Sequence, residues 1–506
     1  MKKHYRMITT LMGCALWASA MGQATITFNV SSTRKQTITG FGAAAMEHLM
    51  RPIQEVSMIS KAYGPNSQIG LNIMRIEMSP NLKPDITAAD VGWDTPYDWK
   101  GYLPAVRQAK RMGAIILATP WSPPASYKTN NSSSGGQGDA NGNIRGKLSK
   151  PDSLFVWMNT FLAYMKSQNA AVDVVSVQNE PDWWVGYSGC LYTPQEIRNL
   201  VAQYGHLLDK EKYNVKLMGG EPLGFNPEYA RELMSNSKSA QLTDIIGGHV
   251  YGSYDCKKNL AKTAGYADGR EVWMTEHLLN NEDGSRTMPS WHQQLEFVED
   301  VHECLLNGAT AYIYWYLAAE YGFIGDGTKY NSAATVPENT RGNILDRGRL
   351  MGQFARHLKG ATLLKSASNI KDGTNTPGVN QNIELSAFIK GDSIIVNVVD
   401  TTAKSYNLQL TLPVQAATRV HRIQSTEGDV YAEDDISTEG GRSFTFSIPP
   451  RSFSTFIFDI SQATAISEVS QPRPATRHTA YNLMGQPVEA PSKGIFIING
   501  KKVVVP

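Results

Sequence analysis

Two glutamates each end a short apolar run of this chain, which is an unusual place for an acidic side chain. Glu180 closes the run DVVSVQNE, and Glu276 closes the run EVWMTE. A glycosidic bond is cleaved when one group protonates the leaving oxygen and a carboxylate meets the oxocarbenium-like carbon. Two glutamates could do both, provided that the fold brings these remote residues into one cleft.

The residues around the two glutamates suggest a different role for each. Asn179 directly precedes Glu180, and its amide can bind a sugar hydroxyl beside the reacting carbon, so we expect Glu180 to be the acid/base. Arg75 and Tyr251 can donate hydrogen bonds to Glu276 and hold it as an ionised nucleophile. The alternative for Glu276 is a structural ion pair with Arg75.

Further aromatic and polar residues stand at the ends of other apolar runs. Trp121 and Trp315 can stack against the apolar C–H faces of a sugar, and His249 stands in the run IIGGHVYG. With Asn179, Tyr251 and Arg75 they make up the expected substrate-binding set. Glu221 also ends an apolar run, but we interpret it as a residue of the fold or of the rim.

Other kinds of active site find little support in the sequence. His249, His277 and His292 do not have the spacing of metal ligands, and no cluster of acids accompanies them. The central segment contains no GxSxG motif for a serine nucleophile. We therefore expect neither a metal nor a cofactor.

The two glutamates belong to a repeating design. Short apolar runs alternate with amphipathic stretches, a pattern typical of βα units and a parallel sheet. There are eight runs: TGFGAAAM (39–46), NIMRIEMSP (72–80), AIILATPWSPP (114–124), DVVSVQNEP (173–181), VKLMGGEP (215–222), IIGGHVYG (245–252), EVWMTEH (271–277) and ATAYIYWYL (309–317). Eight strands predict a (β/α)8 TIM barrel, whose catalytic groups lie at the carboxyl ends of the strands.

The segments between and after the runs complete the picture. Leu295, Val298, Val301 and Leu305 recur at helical spacing before Gly308, and a second helix is expected from Leu350 to Leu358. Beyond residue 360 the pattern becomes strict alternation, as in SYNLQLTLP and SFTFSI, which is typical of half-buried antiparallel strands. ATITFNVSS near the start alternates likewise and is expected to pair with that region.

These patterns divide the chain into five segments. They are a signal peptide at 1–23, an N-terminal strand of the side domain at 24–38, the catalytic barrel at 39–360, a side β-sandwich at 361–460, and a linker with a small C-terminal β module at 461–506. The polar stretch 470–479 is the linker, and Asn499–Gly500 predicts a hairpin turn in the module.

The N-terminus has the features of an export signal. Lys2, Lys3 and Arg6 precede the short apolar stretch Met7–Leu16, and the small residues Ala18–Ala20 offer a cleavage site. Since no later run has eighteen consecutive apolar residues, we expect a soluble protein that is secreted or held at the cell surface. A monomer is the expected state.

The charge of the chain argues against one class of partner. The formal net charge is +2 and no long block of lysine or arginine occurs, so we expect no nucleic-acid partner.

The cysteines do not suggest a disulfide-rich protein. After removal of the signal, Cys190, Cys256 and Cys304 remain, which is not a disulfide framework. One bridge, for instance between Cys190 and Cys256, is an open option.

On four stretches the chain resembles glycoside hydrolase family 30. They are QTITGFGAA (36–44), PWSPPASYKTNNSSSGG (120–136), VSVQNEPDW (175–183) and VWMTEH (272–277). The second is similar to the glucuronoxylanase branch, an endo-β-1,4-xylanase group. The resemblance covers roughly residues 25–460 and implies a retaining β-glycosidase. It implies Glu180 as acid/base and Glu276 as nucleophile, with Trp121 and Trp315 lining the cleft.

One departure from that branch bears on the substrate. The branch carries two arginines after strand eight, and one pairs with the glucuronate carboxylate of the substrate. Here the stretch reads WYLAAEYGF, with Ala318 and Ala319 at those positions and Glu320 next. Alanine cannot replace a bidentate arginine. We therefore expect cleavage of β-1,4-xylan that does not depend on glucuronate side groups.

The segment 325–348 is longer than a short barrel loop and could reshape the cleft. Its Lys329, Arg341 and Arg347 are candidates for a substitute cation, and a solvated loop is the alternative.

Two other functions stay open. The chain could be a family 30 hydrolase of another β-glycan, such as a β-1,6-glucan or a glucosyl lipid, or a non-catalytic glycan-binding surface protein. The C-terminal module resembles the sorting domains of type IX secretion, with an ordinary small β-module as the alternative.

Overall fold

The computed structural model describes most of the 506-residue chain. The described residues are 24–45, 56–84, 99–135, 146–252, 255–279, 288–319, 321–325, 327, 340–370, 382–461, 480–482, 487–488, 493–498 and 501–505. The expected signal peptide, the linker at 470–479, the Asn499–Gly500 turn, Glu320 and Lys329 lie outside them.

Eight parallel strands form a closed barrel in chain order, which confirms the predicted (β/α)8 barrel. The strands are β2 (Gly40–Ala44), β3 (Ile73–Glu77), β4 (Ile115–Thr119), β5 (Val174–Ser176), β6 (Lys216–Met218), β7 (Ile245–His249), β8 (Glu271–Glu276) and β9 (Ala311–Tyr314). Gly40 lies opposite Ala311, which joins the first strand to the last. Apolar side chains from seven of these strands form a buried cluster of their own, as expected of a filled barrel interior.

The described residues contain ten α-helices, nine of which connect barrel strands. The helices are α1 (Val56–Ala62), α2 (Leu103–Arg111), α3 (Pro151–Ser167), α4 (Pro194–Tyr204), α5 (Lys210–Tyr213), α6 (Pro227–Ser235), α7 (Ser237–Leu242), α8 (Cys256–Tyr266), α9 (Trp291–Leu306) and α10 (Asp346–Leu358). Short 3-10 turns occur at Ala125–Tyr127 and Gly205–Leu207. A capping box between Ser290 and Gln293 starts α9, and Gly308 follows its end with a φ of 104°.

A nine-stranded sheet forms the side domain. Its strands are β1 (Ala24–Thr37), β10 (Thr362–Ser368), β11 (Ile383–Lys390), β12 (Ser393–Asp400), β13 (Tyr406–Ala416), β14 (Arg419–Thr426), β15 (Asp429–Ser437), β16 (Gly441–Ile448) and β17 (Ser452–Asp459). Their order is β15-β14-β17-β12-β11-β10-β1-β13-β16. Strand β1 lies antiparallel to β10 and parallel to β13, so segments from before and after the barrel build this sheet together.

The sheet curls until strands that are remote in its order face each other. Phe446 on the edge strand β16 stacks on Phe456 of β17, with 4.3 Å between ring centroids, and Phe444 lies 4.9 Å from Phe458. These rings belong to a continuous buried cluster contributed by both halves of the sheet. The expected sandwich is therefore a single sheet folded over its own core.

The last two helices join the barrel to the side domain. His302 of α9 is fully buried and contacts Glu384 and Ser386 of β11, each at 2.7 Å. From α10, Gln353 bonds to backbone carbonyls of Ile423 and Phe453. Helix α10 begins at Asp346, four residues before the predicted start.

A four-stranded sheet follows at the C-terminal end, in the order β19-β18-β20-β21. Its strands are β18 (Ala480–Asn482), β19 (Pro487–Val488), β20 (Gly494–Ile498) and β21 (Lys501–Val505). Ile498 lies opposite Lys501, so β20 and β21 form an antiparallel hairpin. In the part of the chain that the structure describes, no helix is long and apolar enough to cross a membrane.

Candidate active site

Five charged side chains converge at the carboxyl ends of the barrel strands. Arg75 lies within β3, His249 ends β7, and Glu276 ends β8. Glu180 and Glu221 follow β5 and β6 after short extensions, and all five residues are buried. The register of a closed parallel barrel brings these ends together, since every strand runs in the same direction.

Backbone hydrogen bonds fix the two extensions to each other. Asn179 and Glu221 form a parallel bridge, the amide of Glu180 donates to the carbonyl of Glu221 at 2.9 Å, and the amide of Glu221 donates to Gln178 at 3.0 Å. Glu180 has a φ of 43°, a left-handed conformation that costs energy for a residue with a side chain. Its carboxyl group is therefore held at a strained and well-anchored turn.

The carboxyl groups of Glu180 and Glu276 lie close together. One oxygen of each, together with one ring nitrogen of His249, lie within 4.8 Å of one another. Glu180 is 8% exposed and Glu276 is 7% exposed, so each keeps a small accessible surface. This spacing is close to the 5–5.5 Å or so between carboxyl groups that double displacement requires, and well below the separation in inverting sites.

Arg75 is the hub of the site. Its guanidinium donates to Oε2 of Glu276 at 2.6 Å and to Oδ1 of Asn179 at 2.7 Å, and its Nε lies 3.2 Å from Glu221. Trp121 covers the guanidinium, with 4.6 Å from the carbon centre to the ring centroid. Because the Asn179 oxygen is engaged, its amide N–H groups are the donors left for a ligand.

His249 is the second cation of the site. Its Nδ1 lies 3.0 Å from Oε1 of Glu180, and its Nε2 lies 3.7 Å from Glu221 and 3.9 Å from Glu276. Burial alone would lower the pKa of His249, but the surrounding carboxylates, Glu276 foremost, outweigh burial and raise this pKa to about 9. The imidazole is therefore protonated at neutral pH, and its Nδ1 donates a hydrogen bond to Glu180.

Glu221 is the third acid of the cluster and is ionised at neutral pH. Burial by itself would raise its pKa, but the charges of Arg75 and His249 outweigh burial and lower this pKa to about 2. Thr119 donates to its Oε1 at 2.8 Å. Burial raises the pKa of Glu276 above its ordinary value, although His249 and Arg75 counteract part of that effect.

The charge count favours one shared proton. Three carboxyl groups, Glu180, Glu221 and Glu276, meet two cations, Arg75 and His249. Since Glu221 stays ionised, the site reaches neutrality when the remaining two carboxyl groups together hold one proton. One protonated acid beside one carboxylate is the state that glycosidic cleavage uses.

The same cluster could in geometric terms hold a cation, since Glu180, His249 and Glu276 lie within ligand reach. Arg75 already bonds to Glu276, and His249 is protonated. A metal would have to displace both charges, so these residues fit a protonated acid pair better than a metal.

Aromatic side chains form the floor beside the acids. Trp121 and Trp315 lie 5.8 Å apart between ring centroids and pack with Ala44 and Tyr187. Tyr251 donates from its hydroxyl group to Oε1 of Glu276 at 3.2 Å. Sugar C–H faces could stack on such a surface while the polar groups bind hydroxyls.

All eight predicted site residues gather here, although not all of them face the cleft. Asn179, Trp121, Trp315 and Tyr251 retain some exposed surface. Arg75 and His249 have none. These two residues therefore support the carboxyl groups from behind, which differs from the direct substrate contact expected for them.

Glu221 has a more central place than the sequence suggested. It is fully buried between Arg75 and His249, so of the two interpretations, a residue of the fold or of the rim, burial excludes the rim. One signal could have revealed it: the pair Glu221–Pro222 ends its run as Glu180–Pro181 ends the neighbouring one. Because these two strands are neighbours in the barrel and end alike, both acids could have been placed together at the same end of the barrel.

The structure also decides two points that the sequence left open, the place of Arg347 and the state of the cysteines. Arg347 is not in a solvated loop: it is 1% exposed in α10 and donates to the hydroxyl of Tyr314 at 2.6 Å, so it cannot serve as a substitute cation. Cys190, Cys256 and Cys304 are free and buried, so the optional Cys190–Cys256 bridge is absent.

The chain is similar to known proteins over most of its length. The family model of the glycosyl hydrolase family 30 TIM-barrel domain matches residues 36–323, more than half of the chain. Glucuronoxylanase XynC of Bacillus subtilis (strain 168) is 23% identical over 456 residues, which cover 90% of this chain and 96% of that protein.

Solved structures are similar to most of the chain. The family 30 subfamily 8 xylanase Xyn30A from Clostridium acetobutylicum is 26% identical with a TM-score of 0.65, covering 86% of this chain and 99% of that one. A GH30 endoxylanase from Clostridium papyrosolvens C71 is 22% identical with a TM-score of 0.67, covering 86% and 100%. The chain is thus a glycoside hydrolase that belongs to glycosyl hydrolase family 30.

Proposed function

We propose that this protein hydrolyses β-1,4-xylan with retention of anomeric configuration, and that glucuronate side groups are not needed. The observation that carries the proposal is the proximity of Glu180 and Glu276, whose carboxylate oxygens approach within 4.8 Å. A water molecule has little room between acids at that spacing, so direct attack by a carboxylate is favoured.

In the first step, a carboxylate oxygen of Glu276 attacks the anomeric carbon while Glu180 gives its proton to the leaving oxygen. The glycosidic bond breaks, and a glycosyl ester forms on Glu276. In the second step, water attacks the same carbon, Glu180 takes the proton, and Glu276 leaves as a carboxylate. The proton that Glu180 gives to the leaving oxygen in the first step is thus replaced in the second step by a proton from water.

The surrounding residues would serve both steps. Arg75 and Tyr251 donate hydrogen bonds to Glu276 and stabilise its charge when it leaves. Arg75 also orients Asn179, whose N–H groups are available for a hydroxyl next to the reacting carbon. A hydrogen bond to that hydroxyl can strengthen as positive charge develops on the ring.

The choice of xylan is supported by relatives whose names state xylanase activity. Independence from glucuronate is supported by the environment of the two alanines after β9. Ala318 and Ala319 are buried, and Ala319 packs with Tyr316 and Tyr321. No cation stands at those positions to bind a carboxylate, and Arg347 is engaged inside the fold.

Product analysis tests this proposal. The protein is incubated with glucuronoxylan, plain β-1,4-xylan and β-1,6-glucan, and the first anomer released is identified by proton NMR. We expect β-products from both xylans at comparable rates. First-formed α-products would exclude retention. Cuts only beside glucuronate would exclude independence from glucuronate. Hydrolysis of β-1,6-glucan alone would show that β-1,6-glucan, not xylan, is the substrate.

We also propose that the chain acts outside the cytoplasm as a monomer. The basic residues and short apolar stretch at 1–23 support export, and the C-terminal module supports a role in sorting or anchoring. Deletion of residues 465–506 is then expected to change the location of the protein but not its specific activity. Loss of xylan hydrolysis on that deletion would contradict the assignment.

A further inference from the structure

We propose that Trp183 and Trp184 form a sugar-binding surface on the leaving-group side of the scissile bond. This inference rests on the proposed retaining hydrolysis of xylan and adds a binding site to it. The site would take neutral pyranose units of the polysaccharide beyond the bond that is cleaved.

The exposure of the two side chains is the first observation. Trp183 is 45% exposed and Trp184 is 46% exposed, while every other tryptophan in the described residues is buried or partly buried. Two adjacent indoles in contact with water form an apolar patch, and such patches commonly mark binding surfaces.

The backbone around the pair is anchored, so the rings cannot simply fold into the core. The amide of Trp183 donates to the carbonyl of Glu180 at 3.0 Å. Before the pair, the carbonyl of Pro181 accepts from the amide of Tyr192 at 2.9 Å, and the carboxyl group of Asp182 accepts from the amide of Leu223 at 2.9 Å. After the pair, the carbonyl of Tyr187 accepts from the amide of Gly135 at 2.8 Å. A fixed backbone presents the rings at low entropic cost on binding.

The position along the chain places the pair near the acid that protonates the leaving oxygen. Trp183 and Trp184 are three and four residues after Glu180, hence at most about 10–14 Å from it even in an extended chain. Glu180 must touch the leaving oxygen, so the departing part of the polysaccharide passes this loop. Further along the loop, Tyr187 packs with Trp121 and Trp315, which joins the loop to the floor of the cleft.

The chemistry of the patch suits a neutral sugar. Asp182 is turned to a backbone amide, and the exposed surface of the pair is apolar. A xylopyranose ring has no hydroxymethyl group, so it offers flat C–H faces to an indole. A charged partner would find no counter-charge in the two rings themselves.

The experiment measures how the glycosyl ester is partitioned between hydrolysis by water and transfer to an added sugar acceptor. The full-length protein is given β-xylobiosyl fluoride, whose fluoride leaving group occupies no sugar site beyond the cleaved bond, with and without xylotriose. Fluoride release reports the first step, and the yield of transfer product reports binding of xylotriose on the leaving-group side. Trp183→Ala and Trp184→Ala are compared with the unmodified protein.

We expect each alanine variant to need about fivefold to tenfold more xylotriose for the same transfer yield, because a stacked ring is lost. Fluoride release without xylotriose should stay within about twofold of the unmodified rate. Trp183→Phe and Trp184→Phe should restore most of the transfer. The matched control is Tyr266→Ala, an aromatic residue 43% exposed at the end of α8 that leads to the start of β8.

Three results would overturn the inference. If transfer is unchanged in both alanine variants and fluoride release is normal, the two rings do not bind the acceptor, and the proposed function is unaffected. Fluoride release that falls as much as transfer would assign the rings to the other side of the bond or to support of Glu180. Absence of fluoride release and xylan hydrolysis by the unmodified protein would overturn both proposals.

Discussion

The imidazole of His249 lies against the carboxyl group of Glu180, with 3.0 Å between Nδ1 and Oε1. The other ring nitrogen faces Glu221 at 3.7 Å and Glu276 at 3.9 Å. One buried cation thus contacts the proposed acid and approaches both other carboxyl groups. Its protonation state couples the three acids, and this coupling leads to specific expectations.

The stability contributed by His249 should depend on pH. Its pKa rises from 6.5 to about 9 on folding, so the stabilisation is complete below about pH 6.5 and is lost as pH rises through about 9. At about 1.4 kcal/mol for each pH unit between the two values, the contribution reaches about 3 kcal/mol. Urea unfolding at pH 6 and pH 9.5 measures it.

The comparison needs two variants. His249→Gln should lose this part of the pH dependence, whereas His292→Gln, at an exposed site on α9, should keep it. If the unmodified protein and His249→Gln lose equal free energy of unfolding between the two pH values, His249 is not the charged group described here.

Replacement of Glu221 by glutamine should affect both stability and the pH profile. The variant leaves Arg75 and His249 with one anion fewer, and loss of one partner from a buried ion pair costs about 3–5 kcal/mol. The pKa of His249 should fall, so the alkaline limb of the kcat profile should move to lower pH. Thermal unfolding and kcat from pH 4 to 10 test this.

Glu211→Gln is the matched control, since Glu211 is exposed on α5. A Glu221→Gln protein with reduced stability but an unmoved alkaline limb would show that Glu221 supports the fold without influencing His249.

A substrate whose leaving group needs no protonation should distinguish the role of Glu180 from the role of Glu276. Glu180→Gln should slow xylan hydrolysis by about 10²–10⁴-fold, because general acid assistance is lost. Fluoride release from β-xylobiosyl fluoride should fall far less, since fluoride departs without protonation. Glu276→Gln should abolish both reactions, as no covalent ester can form.

Mass spectrometry with a 2-deoxy-2-fluoro xyloside provides an independent measurement. The unmodified protein should gain the mass of the sugar on a peptide that contains Glu276, and Glu276→Gln should not. A label found on Glu180 would reverse the two roles.

Restoring an arginine after β9 should not create glucuronate dependence. Ala319 is 1% exposed and packs with Tyr316 and Tyr321, so Ala319→Arg should strain the core by about 1–3 kcal/mol. We expect a lower Tm and an unchanged ratio of rates on glucuronoxylan and plain xylan. Ala261→Arg, on the exposed face of α8, should leave Tm unchanged. A stable Ala319→Arg protein that prefers glucuronoxylan would contradict this view.

The sequence by itself determined the barrel and the acids that it presents. Apolar runs with polar ends are a local pattern, so β5 and β8 and the acids Glu180 and Glu276 could be identified without knowledge of any contact. The alternating stretches likewise indicated a β-rich side domain and the association of β1 with it. Hydrophobic periodicity records which side of each element is buried, and that is sufficient for a barrel.

Only the tertiary structure decided how the acids share charge. The sequence left Glu221 open between the fold and the rim and placed Arg347 in a solvated loop. Both side chains are buried, because residues far away in sequence cover them. The contacts of His249 with Glu180, Glu221 and Glu276 depend on the register of four strands in a closed ring. The free energy of a buried charge depends on its burial and on its charged neighbours. These neighbours come from distant parts of the chain, so no short stretch of sequence contains them.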